Sequence, residues 1–94
     1  MTGPLIDELA GLETDAARAA WLLRYPLGHL PANHLRLKAV LSGCQFMAGA
    51  NYVDAELAAV LAVRTAEGDV PPEKMLGVHF WRSTMREVAR GRKG

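Results

Sequence analysis

Large apolar residues recur at helical spacing along this chain, and prolines and glycines cut that spacing into pieces. No other feature narrows the possible folds as much. Leu5, Leu9, Leu12, Ala16, Ala20 and Leu23 recur every three or four residues, which keeps them on one side of a helix over residues 4–25. Pro4 suits the first turn, where its missing N–H is not needed. Gly11 costs about 1 kcal/mol against alanine inside a helix, and Thr14 or Asp15 is placed to cap a new start. The segment therefore reads as one helix or as two short ones. Pro26 ends it by disfavouring helical geometry at Tyr25.

Pro26, Gly28, Pro31 and Asn33 make residues 26–33 a connector. A second helix follows over 33–48, with Asn33 as N-cap and Leu37, Leu41, Cys44 and Ala48 on one face, widened by Val40 and Met47. The 15 residues from Ala39 to Val53 carry no charge. This marks the second helix as central, or as a helix whose spare face, lined by the small Gly43 and Ala48, meets another copy in a homodimer. Gly49 to Val53 reads as a break, and Asp54 as the cap of a third helix over 55–67 carrying Leu57, Val60, Leu61 and Arg64. Gly68 stands where a C-cap glycine belongs. Asp69 to Pro72 forms a turn, and the paired prolines open a fourth helix over 72–90 with the stripe Val78, Trp81, Met85 and Val88. Residues 91–94 form a frayed basic tail.

Alternating apolar and polar residues occur only in Leu35-Arg36-Leu37-Lys38, too short a run to make a strand. The expected fold is all-α, one domain over 1–94, a compact bundle of four to five short helices. Its expected core is Trp21, Leu23, Leu37, Leu41, Leu57, Leu61, Val78, Trp81 and Met85. Of the 94 residues, 31 are large and apolar, enough for one core and too many for a disordered tail. A single cysteine excludes a disulfide framework. No apolar run reaches membrane-spanning length, and no basic-then-apolar leader opens the chain, so the expectation is a cytoplasmic protein without a membrane partner. Arg outnumbers Lys 8 to 3 and there is one Ile, a composition typical of GC-rich coding and hence of a bacterium or a phage.

The residues that could carry chemistry do not converge. Cys44 with His29, His34 or His79 lacks a fixed thiolate–imidazole geometry, and Cys44 falls on the expected buried stripe, where a thiol packs as a small hydrophobe. His29 and His34 are five residues apart with Pro31 between them, and no CxxC or HxxxH spacing offers zinc a ligand set. Asp54 and Glu56 point to different sides of a helix. They read as solvated charges, as do Asp7, Glu8, Glu13 and Asp15. The glycines at 43 and 49 lack the Lys and Ser or Thr of a phosphate-cradling loop. No enzyme, metal or cofactor is expected.

Charge comes in blocks: −3 over 1–20, +3 over 21–50, −3 over 51–70 and +4 over 71–94, a total of +1. In the last block His79, Arg82, Arg86 and Arg90 follow one another at spacings of three and four, a ladder that Lys93 continues. Guanidinium groups in a row can track phosphates or carboxylates through forked hydrogen bonds. The third helix, the turn at 68–71 and the fourth helix have a helix–turn–helix outline, but the basic residues come late in the fourth helix. That suits contact with a nucleic-acid backbone rather than base reading. The candidate binding residues are Lys74, His79, Arg82, Arg86, Arg90, Arg92 and Lys93. The leading expectation is a small non-enzymatic binding protein touching nucleic acid through helix 72–90, as a regulator or packaging accessory. The alternative is an inhibitor or adaptor presenting the same basic face to an acidic protein partner. Because Arg82, Arg86 and Arg90 fall off the apolar stripe, neutralising all three is expected to leave the fold intact.

Overall fold

The structure, a computed structural model, describes residues 6–62, 68 and 71–91. Five α-helices follow one another: α1 (Ile6–Ala10), α2 (Asp15–Arg24), α3 (Leu30–Gly43), α4 (Met47–Leu61) and α5 (Pro72–Ala89). No strand occurs among the described residues.

The first apolar segment divides in two. Gly11 N–H closes the last turn of α1 on the Glu8 carbonyl at 3.1 Å. Thr14, in extended geometry, then caps α2 by accepting from the Ala17 N–H at 3.1 Å. Asp15 becomes the first helical residue and holds Arg18 at 2.6 Å. Trp21 Nε1 donates to Glu8 across the joint at 3.3 Å, tying the two short helices together.

The connector is shorter than its prolines suggest. A 3₁₀ turn at Leu27–His29 runs straight into α3, and Pro31 is accommodated in the first turn of that helix, where no donor is missed. Asn33 is therefore inside the helix and is not its cap. Its amide donates to the Tyr25 hydroxyl at 2.9 Å.

The largest departure from expectation is the uncharged stretch 39–53. It is not one helix followed by a break. α3 ends at Gly43, and Gln45 takes a left-handed φ of 60°. Gln45 N–H bonds to the Ser42 carbonyl at 3.0 Å and Phe46 N–H to the Leu41 carbonyl at 2.8 Å. These two bonds make a Schellman cap, with buried Phe46 and Leu41 supplying its apolar contact. The position that usually holds glycine holds glutamine, so the stop carries no composition signal. Gly43 and Ala48 consequently sit on different helices and do not share the single small-residue face expected for a dimer.

Gly49 and Asp54, expected as break and cap, both lie inside α4. A Cβ on Gly49 would stand 2.8 Å from the Phe46 ring and 3.1 Å from Leu22, so this glycine allows α2 to approach α4. Asp54 reaches across to Lys38 of α3 at 2.8 Å. α4 ends at Leu61, where Ala62 turns extended, and does not run on to 67. Residues 63–67 lie outside the described residues. Gly68 has the left-handed φ, 86°, expected of a C-cap glycine, but α4 has already ended well before it.

α5 begins at Pro72 as expected. It closes at Gly91, with φ 87° and an N–H bond to the Val88 carbonyl at 2.9 Å. α4 packs between α3 and α5, α2 packs on α5 and also touches α4, and α1 rests on α3. The centre is thus α4 with α5, not the expected second helix. One contiguous cluster draws side chains from all five helices. Trp21, Leu37, Leu41, Val78 and Met85 are buried as expected, and Leu23, Leu57 and Trp81 pack partly buried against the cluster. Leu61 is 64% exposed and does not belong to the core. No described helix is long and apolar enough to cross a membrane.

Candidate binding groove beside helix α5

The basic row on α5 drifts around one side of the helix, and its edge meets a neighbour. At 3.6 residues per turn, a step of three turns back by about 60° and a step of four advances by about 40°. Arg82 therefore stands at one edge of the row, about 60° from His79 and about 40° from Arg86. There it meets Glu56, whose carboxylate is 2% exposed. Arg82 Nε donates to Glu56 Oε2 at 2.5 Å, and a terminal nitrogen donates to Oε1 at 3.1 Å. The fork and the planar carboxylate match bidentately, the arrangement in which a buried acid is best satisfied.

Tyr52, one turn before Glu56, completes the cluster. Its phenol interacts with the same carboxylate. Burial, with the Glu56 charge adding to it, pushes the phenol up to about 12. The hydrogen bond to Glu56 likewise raises the Arg82 guanidinium above its ordinary value. Glu56 is therefore no solvated charge, and Arg82 is a structural partner of α4. Neutralising Arg82 would strip a buried carboxylate of its counter-charge, so the structure does not support the expectation of an intact fold at this residue.

The remaining candidates divide by position. Lys74, His79, Arg86 and Arg90 are exposed along α5. Arg90 reaches back to Glu87 at 3.2 Å. Arg92 and Lys93 lie outside the described residues. Without Arg82, the outward row steps from His79 to Arg86, about 10.5 Å along the axis at 1.5 Å per residue.

What sequence spacing does not reveal is an open groove of about 730 Å³ between the start of α2, the α3–α4 corner and the later turns of α5. Phe46, Met47, Ala48, Trp81 and Val88 line it, and Phe80 forms an outer wall. Phe80 is 60% exposed and Met47 56%. The Phe80 and Trp81 rings meet edge to face at 4.8 Å, and Thr84 donates to the Phe80 carbonyl at 3.0 Å. The aromatic wall is thus set on a well-formed helix. In the sequence, Phe80 falls beside the apolar stripe rather than on it, so helical spacing does not single it out.

The other candidates stay apart. Cys44 is half-buried at the C-cap of α3 rather than on its buried stripe. His29 packs edge-on to Tyr25 at 6.2 Å, and the His34 ring nitrogen Nδ1 lies 3.1 Å from the Pro31 carbonyl. No three acidic, histidine or cysteine side chains converge on a metal position among the described residues. No protein-family model, no curated protein and no solved structure matches the chain.

Proposed function

We propose that this chain is a small non-catalytic protein-binding module that receives its partner in the groove beside α5. The observation that carries this reading is Phe80, a large aromatic left mostly in solvent on a helix otherwise fixed to two neighbours, with exposed Met47 lining the same groove. Exposed apolar surface gathered at a concavity marks interaction sites, and aromatics and methionine are enriched in their centres. Relative to the adaptor reading drawn from the charge ladder, the partner is moved from the basic row to the groove, on another side of α5.

Nucleic acid is the second reading. It is supported by the exposed Lys74, His79, Arg86 and Arg90, and it would make the protein a regulator or packaging accessory. It has one guanidinium fewer to draw on, because Arg82 is held by Glu56.

A photo-crosslinking amino acid placed at position 80 in the native host separates the two. A discrete adduct with a protein, resistant to nuclease, is expected. An adduct that disappears on nuclease treatment, with duplex DNA bound at low salt and a salt slope reduced by about one unit per arginine removed, would transfer the function to nucleic acid.

A further inference from the structure

We infer that the Arg82–Glu56 fork is a positioning device, which fixes the rotation of α5 against α4 and so holds Phe80 and Trp81 at the groove. Only the consequence for partner capture rests on the protein-binding reading above.

The groove is in part a gap between these two helices. Met47 and Ala48 stand at the start of α4, and Phe80, Trp81, Thr84 and Val88 on α5. Its shape therefore depends on how far α5 is turned about its own axis. Trp81 and Phe80 precede Arg82 by one and two positions, about 100° and 200° around the helix. Any turn that carries Arg82 carries both aromatic side chains through the same angle. With side chains about 5–6 Å from the helix axis, a turn of about 20° moves each by about 2 Å. Hydrogen bonds of 2.5 and 3.1 Å do not survive such a shift.

Apolar packing alone sets this angle loosely. The buried residues of α5 are Val78, Met85 and Val88. Attraction between such side chains is non-directional, and apolar cores lose a unique arrangement before they lose stability. Met85, unbranched and flexible, adapts to gaps of irregular shape. The fork behaves differently. Its two bonds align a planar guanidinium with a planar carboxylate, so they fix an angle as well as a distance. The acid end is itself held, because Glu56 is 2% exposed and sits beside Tyr52 of its own helix. A matched ion pair of this kind, even where apolar residues would be as stable, selects one arrangement among several.

The test labels the protein with 5-fluorotryptophan. Trp81 reports from the groove, and Trp21, buried on α2, is the control. Two variants are compared with the parent, each checked for cooperative unfolding by circular dichroism. Glu56→Leu with Arg82→Met removes the fork and keeps the site packed. Arg82→Lys keeps a positive charge for Glu56 without the fork. In the parent each tryptophan should give one narrow fluorine resonance. In both variants the Trp81 resonance should split, or broaden about twofold, as the helix exchanges between orientations. The Trp21 resonance should stay as in the parent. A groove correctly formed about a third of the time captures its partner about threefold less well, so the protein adduct from a crosslinker at position 80 should fall by that factor. An unchanged Trp81 resonance in the folded variants would overturn the proposal, as would a full yield of adduct beside a broadened Trp81. Loss of the fold in both variants would show that the pair supplies stability rather than orientation, and would overturn it as well. If the parent itself gave no protein adduct, the protein-binding reading would fall, while the Trp81 resonance would still decide the role of the fork.

Discussion

α5 has two sides that look alike in sequence and behave differently in the fold. On the inward side Arg82 locks onto Glu56, and Tyr52 joins the same carboxylate. On the outward side Arg86 and Arg90 stand in solvent, and farther round the helix a phenylalanine is 60% exposed. Four residues separate Arg82 from Arg86, and nothing in their local spacing says which is structural. The difference lies in what the neighbouring helix presents. α4 offers one buried carboxylate, and the arginine rotated toward it becomes part of the interior. A ladder of cations is thus a binding face only after the packing partner has taken its share.

The comparison breaks most directly at the inward side. Arg82→Ala should destabilise the protein by about 3–5 kcal/mol, because it leaves the buried Glu56 carboxylate without its partner, and Glu56→Ala should destabilise it by that much or less. The Glu56 change should fall toward the lower end, since Arg82 is 33% exposed and can rehydrate. Urea unfolding measures both. Glu56→Leu combined with Arg82→Met should recover most of the loss, as well-packed apolar residues commonly replace such pairs without penalty. A double variant as unstable as the singles would mean that the pair holds more than its own charges.

A smaller effect lies in the alkaline range. The Tyr52 phenol rises from 10.0 to about 12 in the folded protein, so folding disfavours its phenolate. This contribution is whole below pH 10 and is lost as pH climbs through 12. Absorbance titration of tyrosinate should show a late step near 12 that Tyr52→Phe removes. If the late step survived in Tyr52→Phe, the cluster would be described wrongly.

The outward side should give the smallest effects. Arg86→Ala, Arg90→Ala and Phe80→Ser should each stay within about 0.5 kcal/mol of the parent, as surface substitutions usually do. A loss of several kcal/mol at any of them would erase the distinction between the two sides and show that the outer face is already engaged.

The course of α5 is legible in the sequence because each signal agrees. Paired prolines open it, Val78, Met85 and Val88 keep the helical period, and Gly91 closes it in the left-handed conformation where glycine is expected. The 39–53 stretch is not legible because its signals conflict. Gln45 takes the left-handed cap that glycine usually occupies, and the true glycine, Gly49, serves close packing against Leu22 inside α4. Reading glycine as punctuation places the break several residues late. The groove inherits that error, since Met47 and Phe46 line it only because the chain turns at Gln45.

The sequence by itself determined an all-helical chain, the extent of its last helix and the apolar stripe that buries it. These follow from period, capping and proline, which act within a few residues of one another. Only the tertiary structure decided that Glu56 is buried, that Arg82 belongs to it, and that Phe80 and Met47 open onto one groove. Those outcomes depend on which side of one helix meets which side of another. That meeting is set by the packing of Leu22, Phe46 and Gly49 at a corner whose turn no residue type announces.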